Sequence, residues 1–116
     1  MMNFETKKIN NIIIFKLNEK RLDTNISGLV KGELTLLLKA EGSNRLIVDL
    51  SEVETCDSSG LSAILVANRI VHAIGGKIRL AAPSDKVFSL IKVTQLDRVL
   101  PVCGTVNEAF WELNKE

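Results

Sequence analysis

The stretch RLIVDL, Arg45 to Leu50, sets aliphatic side chains at consecutive positions. Successive residues of a strand point to opposite faces, so a run of this kind needs cover on both faces. That is the situation of an interior strand in a mainly parallel sheet. IIIFKL, Ile12 to Leu17, is a second run of the same type, and KIRLAA, Lys77 to Ala82, is another strand. Parallel neighbours cannot be joined by a tight hairpin, so the helical patterns between these runs must cross over the sheet. The fold class is α/β.

The remaining segments complete the order. Phe4 to Ile9 is a more polar strand, joined to Ile12–Leu17 through Asn10 and Asn11. Asparagine tolerates the positive φ of a tight turn, so this first pair is expected to be antiparallel. LDTN, Leu22 to Asn25, offers N-cap residues for a helix with apolar positions at Ile26, Leu29, Val30, Leu34, Leu37 and Leu38, stopped by Gly42. Gly28 and Gly32 lie inside that pattern, and each costs about 1 kcal/mol against alanine, which weakens its first half. A second helix is expected from Ser59 to Ile74, closed by Gly75 and Gly76. Its wheel gathers Ser62, Asn68, Arg69 and His72 into one polar strip. Pro83 and Ser84 stand at the entrance of a short third helix. Arg98 to Val102 is the expected last strand, assigned to a sheet edge by Pro101. Thr105 to Glu108 reads as a capping box, opening a final helix that runs to about Leu113. The resulting β-β-α-β-α-β-α-β-α order predicts a mixed, mainly parallel sheet with an antiparallel N-terminal hairpin and about four helices.

A length of 116 residues supports one core, and a single domain spanning residues 1–116 is expected. The formal net charge is +1, so no field of one sign steers the chain to nucleic acid or anionic lipid. Four Phe, one Trp and no Tyr leave little for base stacking, which also points away from nucleic acid. Cys56 and Cys103 are far apart with no CxxC pair, so packed thiols in a reducing compartment are expected, with no metal site and no cofactor. The apolar run Ile12 to Phe15 is too short for a signal h-region, and no stretch approaches the roughly 20 residues of a membrane span. The expectation is a cytoplasmic monomer that engages neither membrane nor nucleic acid.

One polar interruption stands out between the buried strand and the second helix, where Cys56 to Leu61 reads CDSSGL. Strand-to-helix loops of α/β domains commonly carry function. Asp57 or Ser58 can cap the helix by accepting bonds from free backbone N–H groups, and Gly60 allows a close backbone approach. Capping alone accounts for these residues. A second reading makes Ser58 a phosphate acceptor, because free N–H groups and the positive end of the helix dipole favour an anion there. A phosphate adds a charge of about −1.5 to −2 and changes the surface while leaving the fold intact.

RLIVDL, CDSSGLSAIL, GGKIRLAAPS and VFSLIKVTQLDRVLPV, in that order, resemble the STAS-domain anti-sigma factor antagonists of bacteria. The similarity covers essentially the whole chain, and its specificity lies in DSSGL at Asp57 to Leu61 and in GGKIRL followed by LIKVTQLDRVLPV. The resemblance implies a STAS fold and a partner switch that regulates sigma-factor-dependent transcription. In such proteins the first serine of the D-S-[ST]-G motif, here Ser58, is phosphorylated by an anti-sigma factor that is also an ATP-dependent serine kinase. The unmodified antagonist binds that kinase and frees the sigma factor; the phosphorylated form is released, and a PP2C-type phosphatase resets the cycle. The chain would then be a kinase substrate and not an enzyme. Partner contacts are expected at Asp57, Ser58, Ser59, Gly60 and Ser62, with Asp23 and Asn25 placed at the same end of the sheet by topology. The alternative is a STAS subunit of a larger assembly, such as a lipid-transport ABC complex, in which Ser58 is never modified.

Other residues carry blander readings. His72 lies about four turns along the second helix from Ser58, too far to act as its base, and a surface role is expected. With no second histidine and no GxSxG elbow, a hydrolase has little support, and no GxxxxGK[ST] loop marks a nucleotide site. Arg69 fits a solvated helix face, and Lys7 with Lys8 an exposed strand face.

Overall fold

Asn10 and Asn11 both take positive φ, 52° and 64°, and this turn folds β1 (Phe4–Ile9) back antiparallel on β2 (Ile12–Leu17). The computed structural model describes residues 2–40 and 42–115. After the hairpin come β3 (Arg21–Leu22), α1 (Thr24–Ala40), β4 (Arg45–Asp49), β5 (Thr55–Cys56), α2 (Ser58–Ala73) and β6 (Lys77–Ala81). The chain then runs through α3 (Asp85–Val93), a 3-10 turn (Leu96–Arg98), β7 (Val102–Cys103) and α4 (Val106–Lys115). The main sheet has the order β1-β2-β4-β6-β7, antiparallel at β1–β2 and parallel elsewhere, as the strand patterns predict.

Strand register explains the consecutive aliphatics. Ile13, Leu46 and Ile78 pair across β2, β4 and β6, as do Phe15, Val48 and Leu80. These two rows join the larger core with Val30, Leu34 and Leu38 of α1, Leu61, Ile64 and Val71 of α2, and Val87 and Ile91 of α3. The alternate positions Ile12, Ile47 and Ala81 face the other way and pack with Cys103 under Ala109 and Leu113 of α4. Arg79 Nε donates to Glu112 Oε1 at 2.9 Å, and Arg45 Nη1 to the Leu113 carbonyl at 3.0 Å, so two strand arginines fasten α4 over the sheet. The strands are thus sandwiched between helices, and the loops after β2, β4 and β6 emerge together at the end that carries CDSSGL.

Several elements differ from the sequence expectation. The β3–β5 pair, Arg21 with Thr55 and Leu22 with Cys56, is too short to leave a periodic signal. Its effect is large, because it ties the start of α1 to the start of α2. The last strand is Val102–Cys103 rather than Arg98 to Val102. Gln95, at φ 61°, turns the chain into the 3-10 segment, and the buried Leu96 and Leu100 anchor this region to the core instead of pairing in a sheet. Pro101 sits just outside the edge strand, where its carbonyl accepts the Leu80 N–H at 3.0 Å. Asn68 is not on the polar strip of α2. It is 7% exposed, and its Oδ1 meets no donor among the described residues, whereas Ile74, at the end of the expected helix, is half exposed. Helix α2 packs on the sheet and along α1, and its exposed polar strip narrows to Ser62, Arg69 and His72. Gly28 and Gly32 do not break α1, because the helix presents them to open space. Among the described residues, no helix is long and apolar enough to cross a membrane.

Candidate functional site

The site is built where β5 hands over to α2. Asp57 stands in extended backbone just before the helix, and its Oδ1 accepts the Gly60 N–H at 2.9 Å. Of the two capping residues the sequence allowed, Asp57 therefore takes the role, and Ser58 becomes the first residue of the helix. The second carboxylate oxygen reaches across to α1: Oδ2 accepts from the Thr24 N–H and from Thr24 Oγ1, both at 3.3 Å. One carboxylate thus serves the N-termini of two helices. Asp57's own N–H donates to the Leu22 carbonyl at 3.2 Å, which fixes the loop against β3.

These donors hold the Asp57 carboxyl below the usual carboxylate range: the Gly60 N–H contributes most, partial burial opposes it, and the Thr24 and Ser59 donors add to the lowering. A folded-state pKa below the unfolded one contributes stability above the unfolded value, near pH 4, that is lost as pH falls through the folded one. Asp57→Asn is therefore expected to lower the melting temperature at pH 7. The gap to wild type should close progressively on acidification below about pH 4, as read from thermal melts of both proteins between pH 2 and pH 7. A gap independent of pH would show that the charge of Asp57 contributes nothing.

The two serines of the motif differ in surroundings. Ser58 is exposed, and its hydroxyl has no hydrogen-bond partner among the described residues. Ser59 is half-buried, with Oγ 3.2 Å from Thr24 Oγ1 in the seam between α1 and α2. Gly60 is buried, and a Cβ there would press into the Leu22 carbonyl oxygen. Cys56 donates from Sγ to the Asp57 carbonyl at 3.3 Å, and burial, reinforced by the Asp57 charge, pushes its thiol up to about 12. It stays a protonated, packed thiol at neutral pH, with little nucleophilic character.

Ser58 and Ser62 line one shallow groove with Leu61, Leu65, Thr94 and Leu96, between α2 and the 3-10 turn. Its apolar side chains and hydroxyls suit contact with another protein's surface. Asp23 and Asn25 lie in a different groove, beside residues 18–21. Asp23 caps α1, its carbonyl accepting from Ser27 N–H at 2.8 Å and its Oδ1 from Asn25 N–H at 3.0 Å. The structure therefore gathers Asp57, Ser58, Ser59, Gly60 and Ser62 on the first turns of α2 and leaves Asp23 and Asn25 on the neighbouring helix start. Thr24, between those two, makes the direct contacts, and the sequence held no signal for it. Thr94 and Leu96 were likewise unforeseen. His72 is exposed toward the far end of α2. On the α4 side of the sheet, Cys103, Glu108 and Glu112 bring potential ligand atoms within 4.8 Å of one another, with Arg79 already bonded to Glu112.

Chemically, Ser58 presents a free hydroxyl at a helix N-terminus. Asp57 is engaged by several donors and is a poor proton acceptor, so a base for Ser58 would have to arrive with a partner.

The STAS domain family model matches residues 3–109. A Thermotoga maritima protein provisionally named an anti-sigma factor antagonist is 28% identical over 113 residues, covering 97% of this chain and 99% of that protein. A crystal structure from the same organism, with the same provisional name, superposes with a TM-score of 0.82 at 27% identity, covering 95% of this chain and 93% of that one. The anti-sigma factor antagonist SpoIIAA in its unphosphorylated form gives a TM-score of 0.75 at 20% identity over 98% of this chain and 100% of that one. Its phosphorylated form, from Bacillus, gives 0.72 at 18% over 95% and 98%. The SpoIIAA likeness is one of fold.

Proposed function

The chain belongs to the STAS-domain family, and from that premise we propose that it is an anti-sigma factor antagonist working by partner switching, with Ser58 as the switch. Unmodified, it binds an anti-sigma factor that is also a serine kinase and so frees a sigma factor for transcription. Phosphorylated on Ser58 it is released, and a PP2C-type phosphatase restores it. The protein acts by binding, as one domain in the cytoplasm, and it is the substrate of the reaction rather than its catalyst.

The observation that carries this reading is the state of the Ser58 hydroxyl: exposed, without a partner among the described residues, and at the first position of α2. There the positive end of the helix dipole favours a phosphate, although the Gly60 N–H of the first turn is already held by Asp57. The apolar groove that Ser58 borders offers a docking surface beside the acceptor. The test is incubation with ATP and the serine kinases of the host that resemble histidine kinases, read by intact mass. Wild type is expected to gain one phosphoryl group and Ser58→Ala none. Wild type left unmodified by a kinase that binds it, or equal modification of Ser58→Ala, would refute the assignment.

A further inference from the structure

We propose that Thr24 decides which of the two adjacent serines is presented for phosphorylation, acting as a positioning residue; the inference rests on the Ser58 reading above. DSSGL offers two chemically equivalent hydroxyls one residue apart on the first turn of α2, and a kinase that reaches one comes close to the other. Their surroundings separate them. Thr24 Oγ1 lies 3.2 Å from Ser59 Oγ and 3.3 Å from Asp57 Oδ2. A threonine hydroxyl has one proton and an ionised carboxylate has none to give. Both bonds coexist only if Thr24 donates to Asp57 and accepts from Ser59. The Ser59 proton therefore points into the α1–α2 seam, and its oxygen is held there, half-buried.

Thr24 is itself well fixed. Its N–H donates to Asp57 Oδ2, Asp23 caps the helix it opens, and the β3–β5 pair places that helix against α2. In the transfer, the serine oxygen forms a bond to the γ-phosphorus of ATP, the bond from that phosphorus to the leaving ADP oxygen breaks, and the hydroxyl proton passes to a base on the kinase. Ser58 can meet these demands as it stands. Ser59 must first give up its bond to Thr24 and turn out of the seam.

Thr24→Val keeps the β-branch and the N–H but removes the hydroxyl; Thr24→Ser keeps the hydroxyl. After treatment with the cognate kinase and ATP, the modified residue is located by fragmentation mass spectrometry. Wild type and Thr24→Ser are expected to carry phosphate on Ser58 alone. Thr24→Val should bring a measurable share of phosphate onto Ser59, since the one lost hydrogen bond is worth up to about a tenfold preference. In the Ser58→Ala background, adding Thr24→Val should allow phosphate onto Ser59. Rescue by serine but not valine is a pattern that loss of packing would not produce.

A second arm needs no kinase. Titrating the Asp57 carboxyl by NMR should give a higher pKa in Thr24→Val than in wild type or Thr24→Ser. Modification of Thr24→Val solely at Ser58, or an unmoved Asp57 titration, would overturn the role of Thr24 while leaving the Ser58 switch in place. Failure of wild type to accept phosphate at Ser58 would instead bring down the switch, and the role of Thr24 with it.

Discussion

Gly60→Ala is expected to destabilise the protein by about 3 kcal/mol, at the upper end of what overpacking usually costs. The added Cβ would press into the Leu22 carbonyl oxygen and lie 2.7 Å from Leu22 Cγ and 2.9 Å from Cys56 Sγ. Neither neighbour can move away cheaply. The Leu22 carbonyl is backbone that already accepts the Asp57 N–H, and Leu22 pairs with Cys56 in the β3–β5 bridge. Relief therefore requires separating the starts of α1 and α2, which breaks the bonds from Asp57 to Thr24 and Gly60. Gly28→Ala is the matched control. A Cβ there meets nothing within 4 Å, so the same change should stabilise α1 by up to about 1 kcal/mol through helix propensity. Urea denaturation of the three proteins measures both signs. A Gly60→Ala midpoint indistinguishable from wild type would show that β3 and α2 are not packed as described.

The same contact shows what the sequence could and could not convey. β2 and β4 were legible because a strand covered on both faces must be apolar at consecutive positions, and Ile12 to Phe15 and Leu46 to Val48 satisfy that requirement on their own. From Ile78 to Ala81, β6 keeps to it except at Arg79, which bonds Glu112 of α4. The hairpin was legible from Asn10 and Asn11 because positive φ is a local property. The neighbourhood of Ser58 depends instead on β3 meeting β5, a pairing of two residues with two that leaves no periodicity. Asp23 and Asn25 could be placed near the motif by topology, but nothing local shows that Thr24 between them bridges Asp57 and Ser59. Asn68 was misplaced for a related reason. A helical wheel ranks residues by angle and does not show how far the packing reaches round the helix, and around α2 it takes in Asn68, which hydropathy alone leaves outside. The last strand slipped because Val99 and Leu100 look like strand residues, while Gln95 and Pro101 shape the segment as a turn followed by an edge.

Phosphorylation of Ser58 is expected to weaken binding to the anti-sigma factor kinase by at least about a hundredfold, equivalent to roughly 2.7 kcal/mol, with little change in the stability of the protein itself. Both halves follow from the position of the hydroxyl. In the free protein a phosphate on Ser58 faces water and the positive end of α2, so hydration and the helix dipole compensate its charge. In a complex seated on the neighbouring groove, the same dianion would be pressed against a partner accommodated by Leu61, Leu65 and Leu96. Burying a charge there without a cationic partner costs several kcal/mol, and the adjacent Asp57 carboxylate adds repulsion to any rearrangement that draws the phosphate inward. Calorimetric titration of the kinase with unmodified and fully phosphorylated protein gives the affinity ratio, and thermal melts of the two forms should agree within a few degrees, since about 1 kcal/mol moves a domain of this size by roughly 4–8 °C. Ser58→Asp carries less charge than a phosphate and should fall between the two forms. Affinities equal within a factor of three would place the docking surface away from Ser58, whereas a large drop in melting temperature on phosphorylation would mean that the phosphate acts by disrupting the start of α2 rather than by blocking the partner.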